Sequence, residues 1–150
     1  SSIQALEYID DVEAVLFESR RILKSGGRFA SVSVLWDHWR FHGPEKKLND
    51  RMHDVFRAHC PHQMLPFSLG AILEKNRFQG VSLTPLSFIN IHLHENSFAH
   101  FASKTLSLFA LKNGISEEEV VEWNDQLKNA EQKGDFGFNS APVLITAFAH

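Results

Sequence analysis

The sequence predicts an α/β fold in which helices and strands alternate. Three observations carry that expectation. Helical and extended patterns follow one another along the chain and do not fall into separate blocks. A helical pattern closing at Gly26-Gly27 runs straight into a strand pattern over residues 28–35. Near the end, Val143-Leu144-Ile145-Thr146-Ala147-Phe148 is a short apolar, β-branched run of the kind that fills the middle of a sheet.

The elements follow in order. Asp10 and Glu13 stand at capping-box spacing, and Val12, Val15, Leu16, Ile22 and Leu23 recur with helical period. Arg20, Arg21 and Lys24 place cations at the negative end of that helix. Gly26-Gly27 is expected to stop it, because glycine enters the left-handed conformation without steric cost. The strand at 28–35 should turn Phe29, Val32, Val34 and Leu35 inward. From Trp36 to Pro66 the chain is rich in histidine and aromatics. It contains one helix, with Pro44 in the first turn and Leu48, Met52, Val55 and Phe56 as its stripe, and Pro61 and Pro66 then bracket a loop. A short helix with Leu69, Ile72 and Leu73 on one face ends near Asn76. Residues 81–91 read as extended and interrupted by Pro85, a strand with a bend or an edge strand. Asn96 is placed to cap a helix with Phe98, Phe101, Ala102, Thr105, Leu106 and Phe109 on its broad face, ended by Gly114. Ser116 and Glu119 form a capping box for a polar helix that buries Val120, Trp123, Leu127 and Ala130 and stops at Gly134. The run at 143–148 should be buried on both faces.

Composition narrows the function classes. The 150 residues are 43% hydrophobic and 22% charged, an ordinary globular mixture, and no linker or repeat divides them. A net charge of −3 provides no basic field for nucleic acid or anionic lipid. No apolar run approaches the roughly 18 residues of a membrane span, and no secretory pattern opens the chain. The single Cys60 excludes an internal disulfide and suits a reducing compartment, so a cytoplasmic location is expected. The opening Ser1-Ser2 has no Met, so the expectation is that this is a truncation point.

The string Ser2-Ile3-Gln4-Ala5-Leu6-Glu7-Tyr8-Ile9-Asp10-Asp11, the helix after it, and Arg21-Ile22-Leu23-Lys24-Ser25-Gly26-Gly27-Arg28-Phe29 resemble a segment of class I S-adenosylmethionine-dependent methyltransferases. There a helix follows the fourth strand, ends in Arg-x-Leu-Lys-Pro-Gly-Gly and enters the fifth strand. Ser25 stands at the usual proline. Trp36-Asp37, His42, His59-Cys60-Pro61, Leu65-Pro66 and the helix around Trp123 extend the resemblance to a bacterial small-molecule, arsenite-methyltransferase-like subgroup. Leu35 stands where that subgroup often carries Asp.

The resemblance implies the C-terminal half of a Rossmann-like methyltransferase sheet, its fifth to seventh strands, with helical cap insertions. Residues 1–150 would be the C-terminal part of a single domain whose N-terminal cofactor-binding half is missing. No glycine-rich loop and no ribose-binding acid at the end of a second strand is present. The three strands at 29–35, 81–91 and 143–148 should share one sheet, the last lying antiparallel between the other two. An open edge on the fifth strand would invite self-association.

The implied reaction is methyl transfer from S-adenosylmethionine to a small-molecule acceptor, with weak or no cofactor binding by this chain alone. Ser2 and Gln4 would lie near the cofactor. Asp37 or His42 would serve as general base, and Trp36 and Trp39 would wall the acceptor site or hold a cation. Equally open is that the tryptophans pack the cap and Asp37 caps a turn. Two other functions stand beside methyl transfer: a non-catalytic module pairing with another chain through its strand edge, and a metal protein using some of the nine histidines. No histidine spacing matches a zinc finger or an HExxH helix, which favours surface and loop histidines. Cys60 reads as a small buried hydrophobe, and Phe98, Phe101 and Phe109 as core.

Overall fold

A computed structural model describes residues 1–150, which form two compact units. The first comprises Ser1–Asp37, Cys60–Ser87 and Ala141–His150. Its sheet contains β1 (Ser2–Ile3), β2 (Arg28–Val34), β4 (Phe78–Pro85) and β7 (Pro142–Ala149), in the order β1-β2-β7-β4. β1 runs parallel to β2, and β7 is antiparallel to both of its neighbours, with Ser31 and Leu83 flanking Ile145. The last strand thus lies between the other two, as the resemblance implies. β1 pairs with Ser31 and Val32, so the outer edge of β2 is covered there and the open edge passes to β1. Pro85 sits on β4 at the opposite edge, where a missing N–H interrupts no ladder.

Two helices pack on one face of this sheet. α1 (Val12–Ile22) is capped by Asp11 and not Asp10: its carboxylate accepts a hydrogen bond from the Ala14 N–H at 2.8 Å. The helix ends at Ile22, before the glycines, with Leu23 already extended. Gly26 and Gly27 join the strands instead. Gly26 N–H donates to the Ala149 carbonyl, and Ala149 N–H donates to the Gly27 carbonyl, each at 2.8 Å. A Cβ at Gly27 would stand 2.8 Å from the Lys24 carbonyl oxygen, so a side chain is excluded. α3 (Leu65–Lys75) takes Pro66 into its first turn, so Pro66 opens a helix and does not close a loop.

Leu6, Val12, Leu16, Leu65, Leu69 and Leu73 meet Phe29, Phe78, Val143, Ile145, Ala147 and Ala149 in the core. Because both helices lie on that face, burial alternates. On β2, Phe29, Ser31 and Ser33 point inward and Val32 is only half-buried, contrary to the expectation from hydrophobicity alone. On β7, Leu144 and Thr146 are half-buried and Phe148 is 45% exposed, so one face is buried rather than two.

The second unit comprises His38–His59 and Phe88–Ser140. It is more than a set of cap helices. β3 (Arg40–His42), β6 (Gly137–Ser140) and β5 (Phe88–Asn90) form an antiparallel sheet in the order β3-β6-β5. The strand expected over 81–91 is therefore broken after Pro85: β4 belongs to one sheet and β5 to the other. α2 (Lys46–Phe56) is capped by Glu45, whose carboxylate accepts from the Lys47 and Leu48 N–H groups, so Pro44 precedes the cap. Ser97, and not Asn96, caps α4 (Phe98–Lys112). That helix buries the small Ala99, Ala102, Ser103 and Ala110 with Leu106, leaving Phe98 and Phe101 exposed at 42% and 63%, against the expectation that they are core. α5 (Glu117–Lys133) has the expected capping box, the expected buried face and a left-handed Gly134 at its end.

An aromatic cluster fills this unit. Trp39 stacks on Phe56 with centroids 4.9 Å apart, and Phe41 lies edge-on to Trp123 at 5.1 Å. A buried polar chain crosses it. Trp123 Nε1–H donates to Asn49 Oδ1 at 2.9 Å, Asn49 Nδ2–H donates to the Phe41 carbonyl at 2.8 Å, and Phe41 N–H donates to His53 Nε2 at 3.2 Å. No helix of either unit is long and apolar enough to cross a membrane.

Candidate functional site

In open α/β sheets, ligands bind beyond the carboxyl ends of the parallel strands. Here β1 and β2 are the parallel pair. Gln4 follows β1 directly. Its N–H donates to the Val32 carbonyl at 2.8 Å while its φ is +47°, a left-handed conformation that glycine normally occupies. Backbone strain of this kind concentrates at functional sites. Ser2 lies half-buried on β1, its main chain paired with Ser31.

The turn Leu6–Tyr8 then brings Glu7 under the end of β2, wholly buried. Glu7 Oε1 accepts from the Val34 N–H at 2.9 Å, and its Oε2 has no hydrogen-bond partner. Ser31 and Ser33 on β2 likewise bury hydroxyls that have no partner. Past β2, the Leu35 N–H donates to the Ala141 carbonyl at 3.0 Å and the Trp36 N–H to the Gln63 carbonyl at 2.8 Å. Trp36 and Asp37 open a short 3-10 turn there, both half-buried.

The Cys60–Ser87 segment closes this end. Gln63 Nε2–H donates to the Cys60 carbonyl at 2.7 Å, and the ring Nε2 of His62 lies 3.0 Å from the Ile9 carbonyl. Burial pushes the Cys60 thiol up to about 11, so it stays protonated and unreactive at neutral pH. Burial, then Cys60 and Glu7, also raise the Tyr8 hydroxyl above its ordinary range. The functional candidate that sequence reasoning passed over is Glu7. Its signal was a carboxylate between apolar Leu6 and Ile9, in a turn too short to leave it solvent.

The six residues singled out from sequence separate into two groups. Ser2, Gln4, Trp36 and Asp37 belong to the first unit, Trp39 and His42 to the second. Trp39 is 4% exposed within the aromatic cluster, which leaves almost no ring surface for a substrate. His42 is exposed on β3, its Nε2 3.4 Å from Asp135 Oδ1. Among the histidines, His53 is buried rather than superficial, and desolvation depresses its pKa to about 3. No group of three or more His, Cys, Asp or Glu side chains converges.

The residues at the parallel strand ends supply few of the groups that a sulfonium nucleoside needs. Ser2 and Gln4 bring neutral donors and acceptors. Glu7, the carboxylate between β1 and α1, is too deeply buried to reach a ribose diol. Neither β1 nor β2 is followed by a glycine-rich turn that would let a backbone approach the ligand.

No protein-family model matches the chain. No curated protein matches it either. Solved structures similar to it include the following three. A Bacillus halodurans protein named as a candidate methyltransferase shares 17% identity, with a TM-score of 0.48 over 99% of this chain and 68% of its own. YcgJ of Bacillus subtilis shares 16%, with a TM-score of 0.49 over 99% of this chain and 62% of its own. Phosphoethanolamine N-methyltransferase 2 of Haemonchus contortus, in complex with phosphomonomethylethanolamine and S-adenosylhomocysteine, shares 10%, with a TM-score of 0.46 over 97% of this chain and 32% of its own. The chain thus spans less than two thirds of the length of two of the three. Likeness at these identities and scores concerns the course of the chain and carries nothing about its chemistry.

Proposed function

We propose that this chain is the acceptor-side part of an S-adenosylmethionine-dependent methyltransferase acting on a small molecule. The observation that supports it is the sheet order β1-β2-β7-β4, with β7 antiparallel in the interior and Gln4 in a left-handed backbone at the end of the parallel pair. In this reading Ser2 and Gln4 hold one edge of the cofactor, and the remaining contacts come from a further part of a longer protein. Trp36 walls the acceptor. Asp37 accepts or orients an acceptor proton, and His42 is the second candidate for that role.

The complete reading frame around Ser1 tests the proposal. A strand, glycine-rich turn and helix encoded upstream, with release of S-adenosylhomocysteine by the complete protein, would support it. A reading frame that opens at Ser1, or a complete protein that binds no S-adenosylmethionine, would overturn it and leave the non-catalytic module paired through the β1 edge.

A further inference from the structure

We infer that the cavity between the C-terminal ends of α1 and α3 binds a phosphorylated small molecule with an aromatic body, of the nucleoside phosphate class. The cavity measures about 420 Å³ and is lined by Phe17, Arg20, Arg21, Lys75, Asn76 and Arg77, a size within the range of small-ligand sites. The His150 N–H donates to the Arg77 carbonyl and Gly26 pairs with Ala149, which puts the cavity at the amino end of β2. Trp36 and Asp37 lie at its other end, so the site involves none of the residues proposed for methyl transfer.

Four cations surround this space against two carboxylates. Glu18 holds Arg21 and Glu13 holds Lys75, each at 2.6 Å and in solvent-exposed pairs of the kind that contribute little. Arg20 and Arg77 have no acidic partner. Arg20 also buries its Nε without a hydrogen-bond partner, and a buried guanidinium N–H left unpaired is costly.

The helix dipole accounts for Arg20, Arg21 and Lys75 in the last turns. It does not account for Arg77. This residue follows the C-cap Asn76 with φ +62°, and its N–H donates to the Glu74 carbonyl at 3.0 Å. That is the position where helices ordinarily end in glycine, and a side chain there is strained. A guanidinium kept at a strained position, lining the same cavity as a second one that has no acidic partner, supplies donors of the forked kind that bind phosphoryl oxygens. Phe17, 65% exposed on the wall, offers a flat apolar face for an aromatic ring.

Calorimetric titration of the chain with ADP, inorganic pyrophosphate and adenosine tests this. ADP should bind saturably at one site, about tenfold or more tighter than either pyrophosphate or adenosine. Arg20→Gln should weaken ADP by about tenfold, and the exposed Lys128→Gln should leave it unchanged. Arg77→Gly is the decisive variant, because glycine relieves the backbone. Its melting temperature should hold or rise while ADP affinity falls by about tenfold. Absence of saturable binding by ADP and pyrophosphate, or Arg77→Gly binding ADP as tightly as the parent, would overturn the site. Pyrophosphate binding as tightly as ADP would overturn the aromatic part of the ligand.

Discussion

Glu7 Oε1 accepts a hydrogen bond from the Val34 N–H at 2.9 Å, so a wholly buried carboxylate ties the turn after β1 to the carboxyl end of β2. Gln4 and Trp36, two of the residues of the proposed site, precede and follow this tie along the chain. Glu7→Ala removes the acceptor and leaves the Val34 N–H buried and unpaired, which costs about 1–3 kcal/mol. Glu7→Gln keeps an acceptor and should cost less. Urea unfolding should show the midpoint falling in that order with an unchanged slope. Equal stability of the alanine variant and the parent would show that the tie does not hold the site.

His53 makes stability depend on pH. Its folded pKa is depressed by burial to about 3 from an ordinary 6.5, with Nε2 accepting from Phe41. The unfolded chain therefore binds more protons than the folded one between these values. Stability is fully present above about pH 6.5 and is lost as pH falls toward 3. His53→Gln removes that titration. The stability difference between pH 7.5 and pH 4.5 should be smaller in the variant than in the parent, and parallel curves would refute the assignment.

Asn49 serves two partners at once, Trp123 Nε1–H and the Phe41 carbonyl. Asn49→Ala leaves both buried groups unpaired, with a cost of about 2–5 kcal/mol. Thermal unfolding followed by tryptophan fluorescence should register the loss. A change below about 0.5 kcal/mol would mean that the network contributes no more than a surface site does.

Asp37→Asn separates chemistry from turn geometry in the complete protein. Loss of a general base costs about 10²–10⁴ in rate, whereas Asn caps a turn nearly as well as Asp. Turnover reduced by about tenfold or more, with the melting temperature unchanged, supports the proposed role. Turnover within about twofold of the parent would transfer the role to His42.

The present chain should bind S-adenosylmethionine weakly or not at all, since no glycine-rich turn follows either of its parallel strands. Titration at micromolar ligand should give no saturable heat. A clean one-site isotherm would show that these 150 residues hold the cofactor unaided.

What was legible in the sequence is local in cause. The Ser116–Glu119 box, the buried stripe of α5 and Gly134 all belong to one helix, where propensity and capping act through residues a turn apart. The interior place of β7 was legible through the resemblance, and Pro85 marked its strand as an edge. Other features were decided only by tertiary structure. Ser31 is buried in preference to Val32 because α1 and α3 cover one face of the sheet, and a strand's own sequence does not say which face will be covered. β3 and β6, with three and four residues, are too short to show an alternation. Small residues carry α4 against its neighbours, so Phe98 and Phe101 turn outward while Phe109 packs edge-on to Phe56. The ties of Glu7 to Val34 and of Asn49 to Trp123 span 27 and 74 residues. A buried polar group is stable only beside its partner, and only the folded chain brings that partner within reach.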